Sequence, residues 1–307
     1  MSENNVLNII VSGIPFDFFY YAAKLKLQNP KLNLILDFRD LWTDSMGSYG
    51  DNVRKFQSKK RFENECFKEQ FAIEQSNYVL CASDDLYLIL QSKYPEQKDK
   101  FKLILNGFDP EEIMPHEKKE IQVASVNKEI LKIINIGTIN CSRNYYTHLI
   151  EALKKIKKEN AGLYKQLRFD FYGNTNLQFE KDIRIADLEI VFFHSKVDSN
   201  KVQECIQNAD MVLYIKREEE LSNSFASKFF EYLCARKFMI VLSPEGKVTE
   251  YVRSNQIGFV LTKETMYDNL MDIFYNFNLG KLNFNSELDI TEFGYDVISQ
   301  KIEVLLD

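Results

Sequence analysis

"LKIINIGTINCSRNYYTHLIEAL", residues 131–153, decides how the chain is read. An apolar run ends at Gly137. A loop of small residues follows, and then a stretch with apolar positions at helical spacing. Strand, glycine turn and amphipathic helix form the unit of a parallel α/β sheet, whose strands are covered on both faces and so read as apolar runs. The same grammar continues on both sides. Toward the N-terminus lie "VLNIIVSG" (6–13), a helical stretch from Pro15 to about Gln28, "LNLILDF" (32–38), an amphipathic segment over 54–76, "YVLCAS" (78–83) leading into "DDLYLILQSKY", and "FKLILNG" (101–107). Toward the C-terminus lie "LRFDFYG" (167–173), "IVFFHSKV" (190–197), "MVLYIK" (211–216), "FMIVLS" (238–243) and "IGFVL" (257–261). Strands alternating with helices predict an α/β fold of parallel sheets.

The segment "FDPEEIMPHEKKEIQVASVNKEI" has two prolines, many charges and no period, so the boundary between two units belongs there. The expected division is 1–118, 119–285, and a final helix over 286–307 that packs back toward the first unit. Its apolar positions are Val297, Ile298, Ile302 and Leu305.

Bulk composition narrows the classes of function. With 45% hydrophobic and 27% charged residues in 307, the chain is globular rather than disordered. A formal charge of −6 offers no global attraction for nucleic acid. The basic runs at 59–61 and 154–158 read as solvated helix faces, with an anionic membrane surface as the lesser alternative. The five cysteines form no C-x-x-C and several sit in apolar runs, as free thiols of a reducing compartment do. The three histidines are scattered, so no metal-ligand spacing appears. "MSENNVLNII" lacks the basic start and small-residue cleavage site of a signal peptide. The expected location is cytoplasmic, with peripheral attachment to the inner membrane face open.

In such sheets a ligand lies beyond the carboxyl ends of the strands. Four stretches meet that condition. In "DFRDLW" (37–42), Arg39 stands between carboxylates; it closes the loop as an internal Asp–Arg pair or faces substrate with Asp40. "NGFD" (106–109) is a turn signal after a strand. In "IGTINCSRN" (136–144), Gly137 allows close backbone approach, and Arg143 before a helix suits phosphate or is a plain surface arginine. In "SNSFASKFFEYLC", Ser222, Asn223, Ser224 and Ser227 are N-cap candidates, and the helix start attracts an anion. Lys228 and Glu231 share one face of its first turn amid Phe229, Phe230 and Leu233. They bind phosphates and a ribose respectively, or they form an i,i+3 ion pair.

Taken in order, "LILDFRDLWTDS", "KLILNGFD", "INIGTINCSRNYYTHLIEAL", "NADMVLYI" and "SKFFEYLCARKFMIVLSPEGKVTEYV" resemble the blocks of the retaining GT-B glycosyltransferases called glycosyl transferases group 1. The relatives that look nearest act on bacterial surface polysaccharides, and the resemblance runs from about residue 5 to the end. It implies an α/β fold of GT-B type with two Rossmann-like domains, and a glycosyltransferase that uses a nucleotide-diphosphate sugar, UDP first among bases. The acceptor would be a hydroxyl of a glycan or lipid-linked molecule in polysaccharide biosynthesis. No cofactor, metal or nucleic acid is implied.

Residue by residue, the resemblance puts Glu231 on the nucleotide ribose, Arg143 and Lys228 by the diphosphate, and Gly137 and Thr138 beside the donor. His194, Asn223, Ser224 and Phe225 join the donor site. Asn223 stands where the family has a glutamate that meets the transferred sugar. Arg39 and Asp40 fall where many members place an active-site histidine, so the catalytic corner differs. Family members also begin with about one hundred further residues, so the N-terminal domain reads as truncated, its acceptor side missing or supplied by a second chain. The rivals are a non-catalytic or split sugar-nucleotide-binding subunit, a degenerate remnant and, further off, an NDP-sugar epimerase.

Overall fold

The computed structural model describes residues 7–44, 58–111, 129–137, 143–216, 223–282, 284–285 and 287–306, without the side chains of 143–145 and 199–200. The chain divides into two units. The first comprises Met1–Gly107, Asn223–Phe225 and Tyr295–Asp307; the second comprises Phe108–Ser222 and Ala226–Gly294. The boundary expected at 118/119 lies outside the described residues.

In the first unit, β1 (Asn8–Ser12), α1 (Asp17–Gln28), β2 (Asn33–Phe38), α2 (Lys59–Gln75), β3 (Tyr78–Cys81), α3 (Asp84–Lys93) and β4 (Phe101–Leu103) alternate. The described strands form one parallel sheet in the order β1-β2-β3-β4. The apolar run of β2 is buried almost throughout, because helices cover both faces of the sheet. On one face Phe19 and Ala23 of α1, Ala72 and Ile73 of α2, and Leu86 and Leu90 of α3 pack with Phe38 and Trp42. On the other, Ile298 of the last helix (Tyr295–Glu303) packs on Ile35, Leu80 and Ile104, joined by Ile302 and Leu305. Each buried aliphatic or aromatic side chain contributes roughly 1.5–3 kcal/mol. Helix starts follow local chemistry: the Ser83 hydroxyl accepts the Leu86 N–H, and Asp84 and Asp85 follow in the first turn of α3.

The last helix is shorter than the expected 286–307. A 3-10 turn at Thr291–Phe293 precedes it, and Gly294 adopts an extended conformation between the two. The cause is pairing: Phe108 forms a parallel bridge with Gly294, and its N–H donates to the Phe293 carbonyl. Backbone held in that bridge cannot join a helix.

The second unit runs β5 (Leu131–Ile136), α4 (Arg143–Glu159), a helical turn at Ala161–Tyr164, β6 (Leu167–Tyr172), α5 (Leu177–Ile185), β7 (Val191–His194), α6 (Ser199–Gln207), β8 (Met211–Ile215), α7 (Ser227–Cys234), β9 (Phe238–Leu242), α8 (Lys247–Ser254), β10 (Gly258–Val260) and α9 (Met266–Asn278). Its described strands are all parallel, in the order β10-β9-β8-β5-β6-β7. Ile133, Phe169 and Phe171 of the sheet pack with Leu149, Leu153 and Ile156 of α4 and with Leu270, Ile273 and Phe274 of α9. The strand order reverses at β5, which has β6 on one side and β8 on the other. That reversal opens a crevice at the carboxyl ends of those strands, where ligands of such sheets bind.

Candidate functional site

The first unit gathers polar residues at the carboxyl end of β2. Asp37 is buried. Its Oδ2 accepts from Ser12 Oγ and from Arg39 Nε, both at 2.8 Å, while its buried Oδ1 has no hydrogen-bond partner among the described residues. Arg39 Nη1 donates to Asn106 Oδ1 at 2.8 Å, and Asn106 Nδ2 donates to the Phe225 carbonyl at 3.4 Å. Thus "DFRDLW", "NGFD" and residues 223–225 meet. The internal Asp–Arg pair is present, and Arg39 still has Nη2 without a hydrogen-bond partner among the described residues. Asp40 is exposed. Trp42 belongs to the core: it stacks on Phe16 with centroids 5.3 Å apart, and its Nε1 donates to Glu65.

The stretch after Trp42 is held by a buried carboxylate that sequence reasoning did not single out. Glu69 accepts from the Thr43 N–H and hydroxyl, from Lys93 Nζ at 2.7 Å and from the Tyr94 hydroxyl at 2.6 Å. Lys93 also pairs with Asp44. Burial works against the Lys93 charge, but Glu69 and Asp44 outweigh it and raise the ammonium above its ordinary range.

Asn223 is captured by a helix distant in sequence. Its N–H donates to Asp85 Oδ2 at 2.6 Å and its Nδ2 to Asp85 Oδ1 at 2.8 Å. The cap residue of α7 is Ala226, which makes no side-chain cap hydrogen bond, and the Asn223 amide is turned to Asp85. Ser224 is half-buried and Phe225 is buried.

In the second unit two glycines end adjacent strands. Gly137 follows β5 with φ 110°, and Gly173 follows β6 with φ 125°. Each continues the ladder by one bond: Gly137 N–H donates to the Tyr172 carbonyl, and Gly173 N–H to that of His194. A methyl group on Gly173 would sit 2.5 Å from the Gly137 oxygen, whereas one on Gly137 would meet no atom of the described residues within 4 Å. The repeated strand–glycine pattern, visible in "LKIINIG" and "LRFDFYG", is the sequence signal for Gly173.

His194 closes β7 beside them. It stacks on Tyr172, centroids 4.4 Å apart, and its Nε2 meets Asp170 Oδ1 at 2.5 Å. Arg168 donates through Nε and Nη2 to the same buried carboxylate. Burial pushes the Asp170 carboxyl up, but hydrogen bonds from Arg168 and His194 win and hold it below the usual carboxylate range. Ionised Asp170 accepts the Nε2 proton, so Nδ1 is the ring atom left for another partner.

On α7, Phe229, Phe230, Tyr232 and Leu233 are buried, while Lys228 and Glu231 are half-buried along its margin. Lys228 Nζ donates to the Ile215 carbonyl at the end of β8, and lies 5.2 Å from the centre of the Tyr214 ring. The Tyr232 hydroxyl accepts the Ile136 N–H at 2.8 Å, so α7 is fastened to the residue before Gly137. Lys216, just past β8, is a lysine buried to 1% exposure, and sequence reasoning missed it as well. Among the residues expected in the donor site, Gly137 and His194 come together at one end of the sheet, with Lys228 and Glu231 on the helix tied to it. Arg143 opens α4, but its side chain, like Thr138, lies outside the described residues. Among those residues no group of histidine, cysteine and carboxylate side chains is arranged to hold a metal ion, and no helix is long and apolar enough to cross a membrane.

Comparison with known proteins fits this geometry. No curated protein sequence matches the chain. Solved structures do. WaaG, a glycosyltransferase involved in lipopolysaccharide biosynthesis, is 12% identical with a TM-score of 0.59, the match covering 99% of this chain and 84% of WaaG. Anabaena HepE, solved with UDP and glucose, is 15% identical with a TM-score of 0.59, covering 97% and 77%. A UDP-forming α,α-trehalose-phosphate synthase from Burkholderia xenovorans is 8% identical with a TM-score of 0.64, covering 97% and 73%. At these identities the likeness shows the fold, which is GT-B. A family model described as glycosyl transferases group 1 matches residues 116–273, just over half of the chain. The chain therefore belongs to the glycosyl transferases group 1 family.

Proposed function

We propose that this glycosyltransferase takes a sugar from a nucleotide-diphosphate donor, UDP first among bases, and passes it with anomeric retention to a hydroxyl of a glycan or lipid-linked acceptor in polysaccharide synthesis. The observation that carries the reading is α7. Its N-cap residue is Ala226, which brings no polar side chain to the first turn, Lys228 and Glu231 lie half-buried on its margin, and Tyr232 ties it to the glycine-ended strand β5. The N–H groups at the helix start, together with Lys228, favour the departing diphosphate. The Glu231 carboxylate accepts hydrogen bonds from ribose hydroxyls. Gly137 and Gly173 let the donor approach the backbone closely, and His194 borders the same strand ends. In this reading the second unit holds the donor and the first faces the acceptor, with Arg39 and Asp40 at the reacting end. UDP is favoured because HepE is solved with UDP.

The test is thermal stabilisation by a panel of nucleotide diphosphates and their sugars. A ligand that binds only the folded state raises its stability by mass action. A rise with UDP-sugars that Glu231→Ala abolishes, in a variant of unchanged fold, supports the donor site. No rise with any nucleotide refutes it.

A second reading has its own support. Asn223 presents an amide where the family has a carboxylate, and that amide is engaged by Asp85. A sugar-nucleotide-binding subunit without transfer would show the thermal shift but neither donor hydrolysis nor transfer to any acceptor.

A further inference from the structure

His194 is fixed from three directions. Its carbonyl accepts the Gly173 N–H, its ring stacks 4.4 Å from the Tyr172 ring, and its Nε2 meets Asp170 Oδ1 at 2.5 Å. Asp170 is fixed in turn. It is 1% exposed and accepts from Arg168 Nε at 2.8 Å and Nη2 at 3.1 Å. A carboxylate that receives two guanidinium N–H groups is ionised and can only accept. It takes the ring proton on Nε2 and leaves Nδ1 of the neutral ring as a lone pair. The His194 side chain is 33% exposed, and Nδ1 has no hydrogen-bond partner among the described residues. A buried charge adds little to stability that an apolar residue of similar volume would not. What Asp170 adds is a ring held in one tautomer.

The ring stands on the side of the sheet that carries α7. Tyr214 of β8 contacts Phe229 of α7, with ring centres 5.7 Å apart. By the two-residue period Val212 shares that face. Strand register carries the face through Ile134 and Ile136 of β5 to Tyr172 of β6 and His194 of β7. Phe171 and Phe193 point the other way, onto Phe179 of α5. Tyr232, next to Glu231, holds the Ile136 N–H at the end of β5. His194 ends the second strand along, roughly 10 Å away at about 4.8 Å per strand. With the diphosphate at the start of α7 and the ribose at Glu231, the base is the part of the nucleotide left to reach His194.

We infer, resting on the donor site proposed above, that His194 Nδ1 accepts a hydrogen bond from the imide N–H of uracil, and that Asp170, held by Arg168, is the positioning residue that keeps this atom an acceptor. Cytosine carries a ring-nitrogen lone pair where uracil carries that N–H. Two lone pairs would then face each other, so the ring tautomer selects uridine over cytidine donors.

The experiment is calorimetric titration of the whole chain with UDP, CDP and inorganic pyrophosphate, beside nitrogen NMR of the histidine rings at about pH 8, above the ordinary imidazole value. The chain has three histidines, at 116, 148 and 194, and His194→Phe identifies the last by its lost signal. UDP is expected to bind roughly tenfold or more tighter than CDP. The His194 proton is expected on Nε2, with the Nδ1 signal moving on addition of UDP and not of pyrophosphate. His194→Phe keeps a ring against Tyr172, and Asp170→Asn keeps the shape of the carboxylate. Each brings the UDP-to-CDP ratio toward one and leaves pyrophosphate binding as it was; Asp170→Asn also lets the His194 proton occupy either nitrogen. Equal affinity for UDP and CDP in the native chain, a preference for UDP that survives His194→Phe, or a His194 proton on Nδ1 overturns the inference while the donor site stands. An equal loss of all three ligands in both variants makes the cluster purely structural and overturns it too. Binding of neither UDP nor pyrophosphate removes the donor site itself, and the inference with it.

Discussion

The carboxyl end of β2 and the carboxyl ends of β5 and β6 occupy equivalent places in two parallel sheets, yet they are built oppositely. In the first, side chains bind one another: Ser12, Asp37, Arg39 and Asn106 form one chain of hydrogen bonds, and Glu69 locks the residues that follow Trp42. In the second, side chains are removed: glycine ends both strands, and among the described residues nothing crowds Gly137. A locked end holds functional groups at fixed places at the cost of ordering them in advance. An open end brings main-chain N–H groups to a ligand. The first suits a corner that must orient reacting atoms, the second a cradle for an anionic donor.

The sharpest way to break the locked end is Glu69→Ala. Lys93 then loses its buried partner, and removing one member of such a pair costs about 3–5 kcal/mol. Urea unfolding should show that loss, with the first unit melting early; a loss under about 1 kcal/mol would show that the network does not hold this end. The open end breaks at Gly173→Ala, which forces both a positive φ and a methyl group 2.5 Å from the Gly137 oxygen. About 3 kcal/mol is expected. Gly137→Ala meets no atom of the described residues within 4 Å and carries the backbone strain of a φ of 110° alone, so it should cost less, about 1–2 kcal/mol, while weakening UDP binding more than Gly173→Ala weakens it per unit of stability lost. Equal stability losses for the two glycines would show that the difference in space has no consequence.

Tyr232→Phe is smaller. It leaves the buried Ile136 N–H without its acceptor, at about 1–2 kcal/mol, and loosens α7 from β5. The expected readout is a weaker thermal shift with UDP along with a lower melting temperature; an unaltered UDP shift would uncouple the two elements.

Smallest is the pH dependence of Asp170. Its carboxyl is held below the ordinary value, so its stabilisation is complete above about pH 4 and fades as pH falls through the depressed folded-state value. The gap in unfolding free energy between the native chain and Asp170→Asn should be constant at neutral pH and shrink in acid. A gap that widens in acid would contradict the sign.

Much of this architecture could be read from residue order. The apolar runs located every described strand, overshooting mainly at carboxyl ends, where Gly137 and Gly173 leave β geometry directly after the last apolar residue of their runs. The amphipathic split of α7 was legible because Phe229, Phe230 and Leu233 stand at helical spacing around Lys228 and Glu231. What was not legible depends on partners remote in sequence. Ser222, Asn223 and Ser224 all look like helix caps, and nothing local reveals that Asp85 takes Asn223. Glu69 sits in a helix that reads as solvated charge, and only the folded chain shows four donors converging on its carboxylate. Arg168 and Asp170 could have been placed on one face of β6 by the two-residue period; their junction with His194 needed the register of the next strand.

That register has an evolutionary consequence. Ile136, Tyr172 and His194 stand side by side as the final residues of β5, β6 and β7. The loops beyond them all depart from one line, and each can lengthen, shorten or exchange residues without shifting a strand. If the proposed donor site is right, donor preference can change by loop replacement while the sheet beneath stays the same.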